Sequence, residues 1–350
     1  MLSDARILDV AHVPQSEDLL VARNDELQAL TTPVRDFLQG YPGSHVLLSG
    51  PTGTGKTMLA KFILEKVWKE EPAAQTTYID CWTDHSTYAL YGNLLATHGD
   101  HVTRTSRGVS HTELRERYRD AVDDPHIVVL DELVQLDDLR ELITLYELEN
   151  VFIIGACNEI EDLHRRLDAP QQSRLRGGRH IELDRYTEAE LRDILGRRIQ
   201  YGMDPESVPE TVVTTIAAQA NGDARIAIES LYEAVRAARE SGEGRVPETV
   251  VDEAVDAARQ SIRQRSLSKL KHRQRQLLAI LDEADGWLSM GEIEDAFVER
   301  HEHVSRETLR KDLRALIHYN HVDEQGEKRW KRYQNVTSVD EGAAVWDRLG

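Results

Sequence analysis

Gly50-Pro51-Thr52-Gly53-Thr54-Gly55-Lys56-Thr57 matches the phosphate-loop pattern GxxxxGK[ST] over its whole length, between an apolar run and a helical pattern. Its glycines let the backbone curl so that several N–H groups point toward phosphates, and the positive end of the following helix adds to the attraction. We expect Lys56 to reach the β- and γ-phosphates and Thr57 to offer a hydroxyl to Mg²⁺. The stretch therefore predicts ATP or ADP binding, and a glycine-rich structural turn is the alternative.

Short apolar runs alternate with helical patterns on both sides of this loop. Five runs predict strands: His45–Ser49, Thr76–Cys81, His126–Leu130, Val151–Ala156 and Arg179–Leu183. Their hydrophobicity is continuous rather than alternating, which indicates strands that are covered on both faces. Strands of this kind separated by helices predict an α/β core with a parallel sheet.

Polar side chains follow two of these strands. Asp131 and Glu132 end the run His126–Leu130, and a buried strand delivers such side chains with little freedom. We expect Asp131 to hold the Mg²⁺ shell and Glu132 to polarise the attacking water. Asn158, after the next strand, would orient the water or hold the γ-phosphate. The alternatives are two exposed acids at a strand end and a loop asparagine that caps the following helix.

Two arginines are candidates for contacts with the γ-phosphate. Arg174 lies in Ser173-Arg174-Leu175 ahead of the last strand, and Arg225 lies in Gly222-Asp223-Ala224-Arg225 at the start of a long helical pattern. We expect Arg225 to act on the nucleotide of its own chain and Arg174 on that of a neighbouring subunit. Surface salt bridging is the alternative for both.

The strand signals stop after Asp184. Four stretches then carry helical spacing: Thr187–Gln200, Pro209–Gln219, Asp223–Glu240 and Pro247–Arg263. Thr187 and Glu190 have the spacing of a capping box, so the first of these helices is expected to begin there. Three more helices, Lys271–Leu281, Gly291–Arg300 and Ser305–Tyr319, precede two strand-like runs, Val322–Gln325 and Trp330–Val336, around a turn at Gly326. This order predicts a helical domain and then a winged helix-turn-helix.

Charge and composition limit the setting of the protein. Its 350 residues include 43 Lys and Arg against 62 Asp and Glu, for a formal net charge of −19, and only 9 of the basic residues are Lys. This balance resembles proteins of salt-loving archaea, because molar salt shortens the Debye length to about 3 Å and screens self-repulsion. An ordinary acidic protein is the alternative. No membrane segment or export signal is indicated, and two isolated cysteines fit a reducing cytoplasm. We expect a cytoplasmic, nucleoid-associated protein.

The C-terminal block is the predicted DNA-binding part. Residues 262–340 carry 15 Lys and Arg against 14 Asp and Glu, whereas residues 1–261 carry 27 against 46. In Ser305–Tyr319 the leucines share one helical face, and Arg306, Arg310 and Arg314 align on another, which is the layout of a recognition helix. The predicted wing carries the remaining contacts to phosphates or a minor groove: Lys328, Arg329, Trp330, Lys331 and Arg332. The alternative is a charged face used for protein contacts.

The order of these motifs points to a family. Along the chain it runs Val21-Ala22-Arg23, Gly50–Thr57, Asp131-Glu132, Asn158, Ser173–Leu175, Tyr186-Thr187 and Gly222–Arg225, followed by the winged helix. This succession, over residues 16–340, resembles the archaeal origin-recognition and cell-division-control type of replication initiator. The resemblance implies an AAA+ P-loop core with a parallel sheet, a helical lid and a C-terminal winged helix-turn-helix domain.

The resemblance also implies roles for single residues. The family's Walker A and B motifs, sensor 1, arginine finger and sensor 2 map onto Gly50–Thr57, Asp131/Glu132, Asn158, Arg174 and Arg225. Arg23 resembles the adenine-side contact, and Tyr186 is expected at the nucleotide as well. The implied ligands are ATP or ADP and Mg²⁺. The implied partners are double-stranded origin DNA, the replicative helicase and other initiator copies on DNA, without a membrane.

The predicted division is an N-terminal segment (1–15), the AAA+ core (16–184), the lid (185–264), the winged helix (265–340) and a tail (341–350). The first hypothesis is an initiator that binds origin DNA, recruits the helicase and is switched by ATP binding and slow hydrolysis. A second is an initiator paralogue that regulates transcription or plasmid maintenance and uses ATP as a structural ligand. A third is a transposition-helper ATPase that polymerises along any duplex.

Overall fold

Five apolar runs form one parallel sheet, as the pattern predicts. The strands are β1 (Val46–Ser49), β2 (Gln75–Asp80), β3 (His126–Asp131), β4 (Val151–Ala156) and β5 (Arg179–Glu182). Their order in the sheet is β2-β3-β4-β1-β5, and each neighbouring pair is parallel. Their ends differ from the predicted ones by at most one residue. The carboxyl ends of β1, β3 and β4 therefore lie side by side, which is where ligands bind in open α/β sheets.

The structure, a computed structural model, describes residues 5–10, 12–13, 19–41, 45–100, 109–267, 269–284, 286–319, 321–326 and 330–336. Its contacts divide the chain into two compact units, Met1–Ala258 and Arg259–Gly350. Within the described ranges, no helix is both long enough and apolar enough to cross a membrane. The predicted tail, 341–350, lies outside the described residues, and the predicted N-terminal segment, 1–15, is described only in part.

Two apolar layers cover the sheet. In β3, Ile127 and Val129 belong to one layer and Val128 and Leu130 to the other, because successive side chains of a strand point to opposite faces. Helices α1 (Asn24–Leu38) and α2 (Lys56–Glu70) pack on the first face. The second face carries α3 (Thr87–Thr97), α4 (His111–Ala121), α5 (Arg140–Tyr146), α6 (Ile160–Arg166) and α7 (Ala169–Leu175). Burial on both faces explains the continuous hydrophobicity of the strands.

The helical domain follows the sheet and belongs to the same unit. It contains α8 (Glu188–Gly202), α9 (Glu210–Gln219), α10 (Ala224–Glu240) and α11 (Val251–Leu267), of which α11 continues into the second unit. The capping box predicted for α8 is confirmed, since Thr187 and Glu190 exchange both hydrogen bonds. Leu8, near the N-terminus, packs into the apolar cluster of this domain. The boundaries proposed at residues 184 and 264 stay predictions.

The second unit contains the predicted helices and hairpin. They are α12 (His272–Glu283), α13 (Met290–Arg300), α14 (Arg306–His318), β7 (Val322–Gln325) and β8 (Arg332–Asn335), and a two-residue strand, β6 (Leu288–Ser289), was not predicted. The strands form an antiparallel sheet in the order β6-β8-β7. Gly326 begins the turn after β7 with a φ of +87°, a conformation that glycine adopts without strain. This order of elements is the one expected of a winged helix-turn-helix.

A buried polar network joins β2 and β3 to the helices above them. His126 is fully buried, with Nε2 2.7 Å from the Thr77 hydroxyl and Nδ1 2.9 Å from that of Tyr118. His98 also approaches Nδ1, with 3.1 Å between the two ring nitrogens. Burial, and then the neighbouring His98, lowers the pKa of His126 to about 3. The imidazole is therefore neutral in the folded protein at neutral pH.

We predict that His126 contributes to acid unfolding. The unfolded chain takes up a proton near pH 6.5 and the folded chain only near pH 3, so this group's stabilisation is complete above pH 6.5 and is lost as the pH falls toward 3. The total loss is on the order of 5 kcal/mol. Urea unfolding of the wild type and His126→Asn, measured from pH 7 to pH 4, is expected to give a flatter pH dependence for the variant. The matched control is His111→Asn, at an exposed position of the same unit. Parallel curves for wild type and His126→Asn would contradict the prediction.

Candidate functional site

The predicted phosphate loop joins β1 to α2 at the carboxyl end of the sheet. Gly50 and Gly53 adopt φ values of +141° and +83°, which side chains with a Cβ rarely adopt. A Cβ on Gly50 would overlap the carbonyl of Leu183, and one on Gly53 would overlap the carboxylate of Asp223. Gly55, with a φ of +97°, precedes the first residue of α2. The glycines of the motif therefore allow both the curl of the loop and its close packing.

Lys56 is buried within this loop. Its Nζ donates to the carbonyls of Gly50 and Pro51, at 2.6 and 2.9 Å, and to Oδ1 of Asn158, at 2.9 Å. Burial lowers the pKa of Lys56, and the charges of Glu132 and Asp131 oppose this shift. The structure thus brings the predicted lysine to the predicted asparagine at the tips of β1 and β4.

Asp131 receives two hydroxyl hydrogen bonds at the same oxygen. Thr57 Oγ1 and the Tyr78 hydroxyl each donate to its Oδ2 at 2.7 Å. A carboxylate beside a hydroxyl fits the oxygen donors that Mg²⁺ prefers, so the predicted pair Thr57 and Asp131 is suitably composed. Among the described residues there is no group of three His, Cys, Asp or Glu that could hold a metal alone. A magnesium ion at Asp131 would therefore depend on phosphate oxygens and water as further ligands.

Glu132 lies at the end of the same strand and is held by Asn158. Asn158 Nδ2 donates to Oε2 at 3.1 Å, while Asn158 Oδ1 accepts from Lys56. Burial, and then the charge of Asp131, raises the pKa of Glu132 to about 7, against the opposing effects of Lys56 and Asn158. A carboxylate with a pKa near neutrality is suited to accept a proton from water at neutral pH. The backbone of Glu132 is left-handed, with a φ of +52°, a conformation that is uncommon outside glycine.

The start of α10 lies against the phosphate loop. The backbone N–H of Ala224 donates to the carbonyl of Gly53 at 3.1 Å. Arg225 follows and forms an ion pair with Asp223 at 2.8 Å. This backbone contact, which the sequence did not indicate, therefore brings the predicted lid arginine, Arg225, to the phosphate loop.

Arg23 and Tyr186 also lie together at this loop. The Arg23 guanidinium carbon is 4.1 Å from the centroid of the Tyr186 ring. Arg23 donates to the carbonyls of Thr54 and Asp184, at 3.1 and 2.5 Å, and to Glu26 at 2.8 Å. It is buried, so it fastens the phosphate loop to the segment that leads into the lid. Contact of these two residues with adenine stays a prediction.

Arg174 is not part of this cluster. It is exposed on α7 and forms an ion pair with Glu147. An arginine that acts on a neighbouring subunit has to be exposed in its own chain, and Arg174 meets this condition. Its role as an arginine finger stays a prediction.

The predicted DNA-contacting arginines share one exposed face of α14. Arg306, Arg310 and Arg314 are each about half exposed, whereas Leu309 and Leu313 are buried. Arg314 and Arg310 both approach Glu307, at 2.9 and 3.7 Å, and Arg306 approaches Glu294 at 3.5 Å. In the predicted wing, Trp330 is 73% exposed and Lys331 pairs with Glu324. Arg332 donates to the carbonyl of Trp287, and Lys328 and Arg329 lie outside the described residues.

Sequence reasoning missed two residues of the site. Tyr78 lies in the interior of β2, where its β-branched and apolar neighbours suggested only a strand. Strands β2 and β3 pair so that Asp80 lies opposite Asp131. Tyr78, two residues before Asp80, therefore lies close enough to donate its hydroxyl hydrogen bond to Asp131. Asp223 stands in the quoted Gly222–Arg225 motif but received no role. An aspartate at the start of a helical pattern is the signal of an N-cap, and in the structure Asp223 caps α10.

Comparisons with known proteins identify the family. The model of the ATPase family associated with various cellular activities (AAA) matches residues 46–179, that of the Cdc6 AAA+ ATPase-type lid domain matches residues 192–256, and a family of unknown function (DUF815) matches residues 5–75. ORC1-type DNA replication protein 1 of Halobacterium salinarum is 32% identical over 300 residues, which cover 86% of this chain and 96% of that protein. The chain belongs to the ORC1-type DNA replication protein family. It is accordingly an AAA+ ATPase, as the motifs predict.

Further proteins similar to this ORC1-type chain cover nearly its whole length. ORC1-type DNA replication protein 9 of Halobacterium salinarum is 29% identical over 340 residues, covering 97% of this chain and 95% of that protein. The structure of the Aeropyrum pernix ORC1 protein in complex with DNA matches with a TM-score of 0.77 and 25% identity, covering 99% of this chain and 97% of that chain. Cdc6p from Pyrobaculum aerophilum has the same fold, with a TM-score of 0.65 and 22% identity, and covers 100% of this chain and 98% of that chain. The predicted AAA+ core and lid are confirmed, and the halobacterial relatives agree with the prediction from composition.

We predict that the Tyr78 hydroxyl stabilises the site in the absence of nucleotide. Tyr78→Phe removes one of the two hydroxyl donors to Asp131, a buried charged group, and is expected to lower the free energy of unfolding by about 2 kcal/mol. Urea denaturation without nucleotide measures the difference. Tyr201→Phe, at a position on α8 that is 46% exposed, is the matched control and should leave stability unchanged. Equal stability of Tyr78→Phe and wild type would disprove the contribution.

Proposed function

We propose that this ORC1-type protein is a replication initiator that binds duplex origin DNA and recruits the replicative helicase, switched by ATP binding and slow hydrolysis. The observation that carries the proposal is the chain of contacts from Lys56 through Asn158 to Glu132, with the start of α10 against the same loop. A phosphate bound to the loop would face groups from the core and from the lid together. The relatives are DNA replication proteins, and replication is the process in which such a switch would serve.

The groups at the site support the binding and hydrolysis of ATP. The loop N–H groups and Lys56 would bind the phosphates, and Thr57 and Asp131 would hold Mg²⁺. Magnesium, when bound, would offset negative charge on the phosphate oxygens. Glu132 would take a proton from the attacking water, since its pKa is near 7, and Asn158 would fix the direction of that carboxylate. Arg225 would contact the terminal phosphate of the nucleotide bound to its own chain. Arg174 would contact that of the nucleotide bound to a neighbouring copy.

Slow hydrolysis fits this arrangement better than processive work. Glu132 is tied to Asn158, which is also tied to Lys56, so the base and the phosphate-binding lysine share one amide. Arg174 can complete a site only when a second copy is adjacent. Hydrolysis would therefore be limited by rearrangement of the shared amide and by assembly on DNA, which is the behaviour of a switch.

The DNA contacts are proposed for α14 and for the predicted wing, residues 328–332, whose last residue begins β8. Arg306, Arg310 and Arg314 form an exposed row above the buried leucines of α14. The structure of the Aeropyrum pernix ORC1 protein with DNA supports DNA as the ligand of this chain. Helicase recruitment and assembly with other initiator copies rest on the family alone.

We predict that genomic occupancy distinguishes the initiator from its alternatives. Crosslinking and sequencing of wild type is expected to give sharp peaks at a few replication start sites. Lys56→Ala should lose them, because the variant lacks the ammonium that binds the phosphates. The matched control is Lys69→Ala, an exposed lysine on the same helix. Peaks confined to promoters or a plasmid would favour a regulator, and diffuse coating of the genome would favour a transposition-helper ATPase.

We also predict that the arginine row recognises base edges. At high salt, where phosphate contacts weaken, the preferred duplex should bind more tightly than a scrambled duplex of the same composition. Arg310→Ala is expected to reduce affinity for the preferred duplex about tenfold, whereas Arg300→Ala, an exposed arginine on α13, should not. Fluorescence anisotropy titrations across salt concentrations measure both effects. Equal binding of the two duplexes in high salt would overturn this assignment.

A further inference from the structure

Asp223 occupies an unusual position between the lid and the phosphate loop. It precedes α10, and its Oδ1 accepts hydrogen bonds from the backbone N–H groups of Arg225 and Ile226, at 2.8 and 3.4 Å. The same carboxylate lies over Gly53, where any Cβ would overlap it. Asp223 is buried, with 6% of its surface exposed. A buried carboxylate beside a loop built for phosphates is unfavourable unless a positive group compensates it.

Arg225 provides that compensation in a defined geometry. Its Nε is 3.3 Å from Oδ1 and its Nη2 is 2.8 Å from Oδ2 of Asp223. Two parallel contacts between a guanidinium and a carboxylate fix the plane of the guanidinium as well as its distance. Within the described part of the chain, Nη1 makes no hydrogen bond, so it is available to a ligand. The side chain keeps 30% of its surface exposed.

The pair is also fixed relative to the phosphate loop. Ala224, between the two residues, donates its backbone N–H to the carbonyl of Gly53 at 3.1 Å. Gly222, which precedes them, accepts from the backbone N–H of Tyr186 at 3.2 Å. The loop, the carboxylate and the guanidinium therefore form one connected structure, and Gly53 is required for the contact because it lacks a Cβ.

We propose that Asp223 is a positioning residue for Arg225, which holds the guanidinium over the phosphate loop so that it distinguishes ATP from ADP. The inference rests on the proposed reading of the terminal phosphate by Arg225 and adds the residue that sets its orientation. An arginine side chain without such a pair would lose rotamer freedom when it binds a phosphate. The bidentate pair with Asp223 has already restricted the rotamers of Arg225.

The test separates orientation from helix capping. Asp223→Asn keeps an amide oxygen that can cap α10, because asparagine is as good an N-cap as aspartate, but it loses the charged pair with Arg225. The full-length chain is titrated with a non-hydrolysable ATP analogue and with ADP, both with Mg²⁺, by isothermal calorimetry. Asp223→Asn is expected to reduce affinity for the analogue about tenfold and to change that for ADP less than about twofold.

The double variant tests whether the two residues act as a unit. Arg225→Ala alone should lower affinity for the ATP analogue at least as much as Asp223→Asn does. Asp223→Asn combined with Arg225→Ala should bind no more weakly than Arg225→Ala, because the carboxylate has no guanidinium left to orient. Losses that add in the double variant would mean that Asp223 acts independently, which overturns the inference.

A matched control lies on the same helix. Glu233 pairs with Arg236 at 2.8 Å, and its side chain is 8% exposed, as is that of Asp223. Glu233→Gln is therefore an equivalent loss of charge away from the phosphate loop, and it should leave the ratio of ATP to ADP affinity unchanged. Thermal melting of each variant verifies folding, and Asp223→Ala, which also removes the cap, should melt at a lower temperature than Asp223→Asn.

The outcomes separate this inference from the proposed function. If Arg225→Ala lowers the ratio of ATP to ADP affinity and Asp223→Asn leaves it at the wild-type value, the positioning role is wrong and the proposed role of Arg225 stands. If Arg225→Ala itself leaves the ratio unchanged, both are wrong. A wild-type ratio in Asp223→Asn together with a lowered melting temperature in Asp223→Ala would assign Asp223 to capping alone.

Discussion

The Lys56 ammonium is the interaction on which the site depends. It is a buried positive charge surrounded by two carbonyls of its own loop and the side-chain oxygen of Asn158. Such a charge is tolerated only when each of its donors is satisfied, so it joins the tip of β1 to the tip of β4. Asn158 in turn holds Glu132 at the tip of β3. One buried lysine therefore aligns three strand ends, and a bound phosphate would replace contacts that already exist.

Most of the sheet could be predicted because its signals are local. The apolar runs are continuous where both faces of the sheet are covered, as in Ile127–Leu130. The limits of such a run therefore predict where the strand begins and ends. The phosphate loop and the α8 capping box are likewise encoded by residues a few positions apart. The strand β6 was not predicted because two residues are too few to show an alternating pattern of apolar and polar residues. It is a strand because it pairs with β8.

The remaining parts of the site depend on contacts between distant residues. Tyr78 and Asp131 are 53 positions apart, and only the register of β2 on β3 brings them together. Arg23 reaches Asp184 across 161 positions, so its burial and its carbonyl partners left no trace in the neighbouring sequence. Asp223 received no role from the sequence, and its approach to Gly53 requires the lid to lie against the loop. Motif order identified Arg23 as a member of the site, and only tertiary packing assigns the partners of all three residues.

The charge of the second unit bears on the proposed binding of DNA by an acidic protein in concentrated salt. The α14 arginines are paired with Glu307 and Glu294 on the surface, and exposed pairs of this kind contribute at most about 1 kcal/mol each. Salt weakens these pairs further, so releasing the arginines toward DNA costs little. The same screening weakens their attraction to phosphates, and counterion release then contributes less to binding. Hydrogen bonds to base edges are affected less, because they are short and directional. In the proposed DNA complex, a row of arginines neutralised by neighbouring acids would therefore favour recognition of base sequence over general attraction to DNA.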